Sequence, residues 1–144
     1  MRNRVLVPAL LGVAWLVSNQ PLPAQQIPAA VVVDQAADKQ FPPALSILTI
    51  PSHGVEMDAF FYLAGGAGPH GTVLLLHGLP GYEMNGDLAQ SIRRAGWNVL
   101  LFHYRGTWGT EGTFSQSSAI EDTTEVVRFL REPANVAKYR IDPQ

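Results

Sequence analysis

Apolar residues fall along this chain in three patterns, and each predicts a different kind of element. Two short continuous runs, Val73 to Leu76 and Trp97 to Phe102, have the composition of strands, the first read as buried on both faces. Leu45 to Ile50 and Val55 to Leu63 read as a strand pair joined through Pro51-Ser52-His53-Gly54, with Gly54 at the positive-φ position of the turn. Helical spacing links Leu88, Ile92 and Ala95, between the N-cap candidate Asn85 and the terminating Gly96. It recurs at Ile120, Val127 and Leu130, where Ser118 and Glu121 match a capping box and Pro133 stops the helix. Gln25 to Pro43 is a loose, proline-containing leading segment with one short strand predicted at Ala30 to Val33. Two strands followed by strand–helix–strand–helix predict an α/β chain, with antiparallel edge strands and a parallel core faced by helices.

The first 24 residues do not belong to that pattern. Arg2 and Arg4 precede an apolar stretch from Val5 to Val17, and a polar, proline-containing stretch then ends at the small residue Ala24. This is the tripartite layout of a secretory signal peptide, with cleavage expected after Ala24. Thirteen residues of helix span about 20 Å, short of the roughly 30 Å hydrocarbon core, so contact with the membrane is expected to be transient. An uncleaved N-terminal anchor is the rival reading. The expected location is periplasmic or extracellular, and the chain divides into 1–24 (signal), 25–43 (leading segment) and 44–144 (one α/β unit).

Composition narrows the function classes. Of 144 residues, 47% are hydrophobic and 15% charged, which are globular values. A net charge of −2 gives no electrostatic reason to invoke nucleic acid. Without cysteine, a disulfide scaffold, a thiol nucleophile and thiolate metal ligation are excluded. No two histidines stand at the i, i+4 spacing of a helical metal site, so neither a metal nor a cofactor is implied.

The chemistry-bearing stretch is Gly71 to Gly81, GTVLLLHGLPG: a strand, a glycine loop and a helix start within a few residues. Such an arrangement aims backbone N–H groups at one point, where they stabilise a negatively charged oxygen. Together with FHYRGTWGTEGTF one strand later, LLLHGLPG resembles the N-terminal half of the α/β-hydrolase superfamily, near its prolyl-oligopeptidase-like and dienelactone-hydrolase-like members. The resemblance runs from about Leu45 to the last residue and implies a partial α/β-hydrolase fold. It implies that the backbone N–H of Leu79 is one oxyanion donor, with His77, Gly78, Pro80 and Gly81 shaping the loop; Pro80 has no N–H to offer. His77 is expected to fix the loop by hydrogen-bonding to neighbouring backbone. His103, Tyr104, Arg105 and Trp108 form a site-adjacent loop. In it His103 is expected to hydrogen-bond the loop, Arg105 to anchor it and Trp108 to line a pocket or pack. His53 and His70 read as solvated, and Glu121 and Asp122 as first-turn acids complementing a helix dipole.

An enzyme of this kind also needs a serine in G-x-S-x-G, then an acid and a histidine. None of Ser46, Ser52, Ser91, Ser115, Ser117 and Ser118 has those flanking glycines. The expectation is therefore an exported serine hydrolase acting on a small-molecule ester or peptide-like amide substrate, read here without nucleophile, acid or base. In the resembled fold the third strand lies between the fourth and the fifth, so an apolar edge at Val73 to Leu76 is also expected, and with it aggregation or partial unfolding of the chain. The alternative is a non-catalytic α/β module that binds a ligand or partner through the same glycine loop.

Overall fold

The computed structural model describes residues 26–34, 36, 38–78 and 84–144. The signal segment and the loop residues Leu79, Pro80 and Gly81 lie outside them. Four strands form one mixed sheet. β1 (Ala44–Ser52) and β2 (Val55–Leu63) pair antiparallel along their whole length, from Ala44 opposite Leu63 to Ser52 opposite Val55. Their turn is only His53-Gly54, both left-handed with φ of 48° and 84°, the geometry that suits a two-residue hairpin loop. Pro51 and Ser52 thus belong to the strand, not the turn, and the proline is tolerated because β1 is an edge.

β3 (Thr72–Leu75) and β4 (Asn98–Phe102) run parallel, and β4 also pairs antiparallel with β2, giving the order β1-β2-β4-β3. β4 is buried at every position because it has a strand on each side and helices on both faces. β3 has the same apolar composition but stands at the open edge, so it is half-buried rather than covered on both faces. Leu76, just past its end, is 44% exposed.

α2 (Gly86–Arg94) covers one face of the sheet, where Ala89 and Ile92 meet Val99, Leu101, Tyr62 and Leu75. Asn85 holds its N-cap position in a left-handed conformation, and Gly96 follows its last turn with φ of 96°. The other face carries α3 (Gln116–Arg131) and α4 (Pro133–Tyr139), which pack on Ile50, Met57, Phe61, Leu100 and Phe102. Buried Asn98 ties these layers together: its Oδ1 accepts from Ala64 N at 3.0 Å and its Nδ2 donates to the Tyr139 carbonyl at 3.1 Å. Both ends of that amide are satisfied, so its complete burial costs little.

Three elements differ from expectation. Ala29–Val32 is one turn of helix (α1), not a strand; the chain leaves Pro28, and Val33 N bonds back to the Ala29 carbonyl at 2.8 Å. α3 begins three residues earlier than the Ser118 cap predicts. Ser115 is the N-cap, its Oγ accepting from Ser118 N at 3.0 Å while Ser118 Oγ accepts from Ser115 N at 2.8 Å. Such a reciprocal cap contributes about 1 kcal/mol. The buried stripe of α3 accordingly runs through Ala119, Asp122, Val126 and Phe129, and Ile120 is exposed. Pro133 does end α3, but it also opens α4, where a missing N–H is harmless.

Candidate active site

Parallel pairing of β3 with β4 puts both C-terminal ends on the same side of the sheet. In open α/β sheets this is the side where ligands gather. The loop after β3 begins at Leu76-His77-Gly78, and the loop after β4 runs from His103 to Phe114. His77 is buried, and its Nδ1 lies 3.0 Å from the Gly78 carbonyl, which makes that nitrogen the donor; its Nε2 is a long 3.5 Å from Thr107 Oγ1. Its ring meets Tyr104 edge-on at 4.5 Å and stands 6.3 Å from His103. Gly78 is exposed and outside the left-handed region, and a Cβ there would meet nothing within 4 Å. Among the described residues, neither φ nor crowding at Gly78 demands glycine.

His103 is 7% exposed, and neither ring nitrogen has a hydrogen-bond partner among the described residues. Its expected role as a loop hydrogen-bonder does not hold. The ring is instead stacked on Trp108 at 5.7 Å and tilted against Phe60 at 5.6 Å, and only its backbone N–H is bonded, to the Asp58 carbonyl at 2.8 Å. Burial pushes its pKa below the ordinary imidazole value, His77 pushes the same way, and Asp58 opposes them. Tyr104 is pushed above the usual phenol range, chiefly by burial.

Arg105 turns away from this cluster toward α3. Its Nε donates to Asp122 Oδ1 at 2.6 Å, its backbone N–H to Asp122 Oδ2 at 3.0 Å, and its Nη2 to Glu121 at 2.6 Å. Ser52 Oγ, at the end of β1, also donates to Asp122 Oδ1 at 2.6 Å. Asp122 is therefore a fully buried anchor within α3, not a first-turn acid. Inside the loop, Gly106 has φ of 77°, and a Cβ on it would lie 2.5 Å from Phe114 N, so only glycine lets the loop close. His70 is likewise not solvated: its two ring nitrogens lie 3.0 Å and 3.2 Å from the carbonyls of Gly96 and Gly66. His53 stands 3.8 Å from Glu121.

The structure thus gathers His77, His103, Tyr104 and Trp108 at one end of the sheet, and places Arg105 as a link to α3. Sequence reading missed Thr107 and Ser52 and gave Asp122 a different role. Asp122 had a signal, since an acid at the centre of an otherwise apolar helical stripe is out of place unless paired. Ser52 had none, lying 70 residues from its partner.

No family model matches the chain. Two uncharacterised proteins of Mycobacterium tuberculosis are similar to it. That of strain H37Rv is 27% identical over 133 residues, covering 90% of this chain and 46% of its own length. That of strain CDC 1551 is 28% identical over 109 residues, covering 74% and 38%. The chain therefore spans less than half of the curated relatives it matches. Among solved structures, an α/β serine hydrolase homologue from Coxiella burnetii superposes with a TM-score of 0.53 at 17% identity, over 67% of this chain and 48% of that one. A lidless α/β serine hydrolase from Xanthomonas campestris gives 0.53 at 21%, over 66% and 47%. A Pyrococcus furiosus esterase gives 0.52 at 14%, over 76% and 43%. At these identities the likeness establishes the fold: a mixed α/β sheet of the α/β-hydrolase kind, matched over part of its extent.

Two outcomes are expected from the site's polar groups. Asp122→Ala leaves the buried Ser52 hydroxyl and the Arg105 fork and N–H without their shared acceptor and should cost about 3–5 kcal/mol. Glu121→Ala removes a half-exposed partner and should cost under about 1 kcal/mol; urea midpoints of the two variants test the contrast. For His103 the folded state resists protonation, while the unfolded chain takes a proton near pH 6.5. Its contribution to stability is therefore undiminished above about pH 6.5 and declines as pH falls toward the lower folded value. Relative to His103→Phe, the native chain should lose stability as pH falls from 7.5 to 5.5; an unchanged difference between the two would contradict the assignment.

Proposed function

We propose that the chain is the N-terminal portion of an exported serine hydrolase acting on ester or peptide-like amide bonds. The observation that carries this reading is the pairing of β3 and β4. Their parallel register brings the start of the HGLPG loop beside His103, Tyr104 and Trp108 at the end of the sheet where ligands bind. The fold shared with serine hydrolases and an esterase supports it. In this reading the Leu79 N–H helps to hold the oxyanion formed when a serine attacks the substrate carbonyl. That serine, the acid and the general base are supplied by polypeptide beyond these 144 residues. Tyr104 packs against His77 and Trp108 against His103, so the two loops form one wall against which an acyl group can rest.

The reading frame continued past Gln144 should encode G-x-S-x-G within about 10–20 residues. The protein extended to include it should react with a fluorophosphonate probe, and Leu79→Pro should lower kcat by about 10²–10³-fold while Leu79→Ala, which keeps the N–H, leaves it nearly intact. Equal activity in the two variants would remove Leu79 from the oxyanion site, and a frame without the pentapeptide would end the hydrolase reading. Export has its own check: the N-terminus of the secreted protein should be Gln25, and a protein recovered outside the cytoplasm starting at Met1 would refute cleavage.

A further inference from the structure

The β1 edge lies at the far side of the sheet from β3, and no described strand pairs with its outer side. Residues 140–142 run beside β3 instead, where Ile141 bridges His70. The preceding segment reaches β1 end-on: the Phe41 carbonyl accepts from Gly66 N at 2.9 Å, past the end of β2. α1 is held to α2, with Arg94 Nη1 donating to the Val31 carbonyl at 3.0 Å.

The ladder determines which peptide groups this edge offers. Asp58 gives its carbonyl to His103 N at 2.8 Å, so the even-numbered residues of β2 turn their peptide groups toward β4. Its odd-numbered residues therefore bond β1, through their partners Ala44, Ser46, Leu48, Ile50 and Ser52. Leu45, Ile47 and Thr49 are left with N–H and C=O facing outward. Pro51 takes the next outward position and Pro43 stands just before the strand; each is four residues from Ile47, and neither has an N–H. No charged residue lies between these prolines, although charge is a common guard on an exposed edge. Leu45 and Ile47 pair with Tyr62 and Phe60, so they share the α2 face, and there they are 50% and 73% exposed.

We propose that the outer edge of β1 docks a second copy of this chain, antiparallel about a two-fold axis at Ile47. The axis sets Ile47 against its own copy and Leu45 against Thr49 of the second copy, as a self-complementary surface requires. Each of the three pairs exchanges two hydrogen bonds, and both prolines fall outside the ladder. Shifting the register by two residues either way sets a proline opposite an outward residue and loses rungs. Six hydrogen bonds correspond to about 600–1,200 Å² of buried surface, the low end for a specific interface, so the dimer exchanges with monomer as concentration changes. The two four-stranded sheets become one, and their β3 and β4 strands point in opposite directions. The candidate sites then open at opposite ends, and the proposal holds whether or not the HGLPG loop serves acyl transfer.

The test uses the full chain, which has no cysteine of its own. Across a hydrogen-bonded antiparallel pair the Cα atoms are about 5.5 Å apart, within reach of a disulfide. Two copies of residue 49 stand about 13 Å apart along the strands in this register. Oxidised under identical conditions, Ile47→Cys should therefore form a covalent dimer at least about tenfold faster than Thr49→Cys. Thr49→Pro removes an outward N–H and no bond to β2, and Ile47→Lys sets like charges on the axis. Each should weaken dimerisation at least about tenfold in sedimentation equilibrium. Equal cross-linking of the two cysteine variants would overturn the proposal. So would association that Thr49→Pro and Ile47→Lys leave unchanged, since it would run through another surface such as the β3 edge. A native chain that stays monomeric up to millimolar concentration would overturn it as well.

Discussion

A carboxylate with no exposure to water must be met on every side by donors, and Asp122 imposes that requirement on three separate parts of the chain. Ser52 brings the end of β1, Arg105 brings the first residues after β4, and α3 brings the acid itself. The backbone N–H of Arg105 takes part as well as its guanidinium, so the anchor fixes the path of the main chain and not only the side chain. From there the loop closes on itself through Gly106 and returns to the Ser115 cap, which sets the first turn of α3 and so where Asp122 falls. The orientation of the wall formed by Tyr104, Thr107 and Trp108 descends from this one buried charge.

Asn98 and His103, at opposite ends of β4, show the two ways a polar side chain can be buried. Asn98 bonds both its amide groups to backbone and is part of the packing that joins β2, β4 and α4. His103 is nearly as buried, and among the described residues it bonds through neither ring nitrogen. Leaving such groups unmet is expensive, on the order of 1–3 kcal/mol, and is rare away from sites with a task. Aromatic stacking on Trp108 offsets part of that cost, and burial lowers the pKa of the ring. The contrast sets a fully satisfied start of the strand against an unsatisfied polar group at its C-terminal end.

The sheet is also uneven from side to side. β4 is enclosed, while β1 and β3 each leave a row of peptide groups without a strand partner. At β1 the exposed residues alternate with buried ones, the usual look of a hairpin facing water. β3 has no such alternation; all four of its residues are half-covered, and a cavity adjoins them. Its composition is that of an interior strand, and the curated relatives are more than twice as long as the segment they share with this chain.

Local periodicity was enough to read the hairpin, the two parallel strands, α2 and the α/β class, because each depends on spacing within a dozen residues. The loop after β4 was legible as YRGTWGTEG for the same reason. Only tertiary structure decided that Ser115 rather than Ser118 caps α3 and that Ala29–Val32 is helical. It also decided the roles of Asp122 and His103. Each depends on which groups meet from distant positions, as Ser52 and Asp122 do, and a hydrogen bond across 70 residues leaves no trace in local spacing. Sequence determines which faces are apolar, whereas the geometry of the packed layers determines which polar groups find partners.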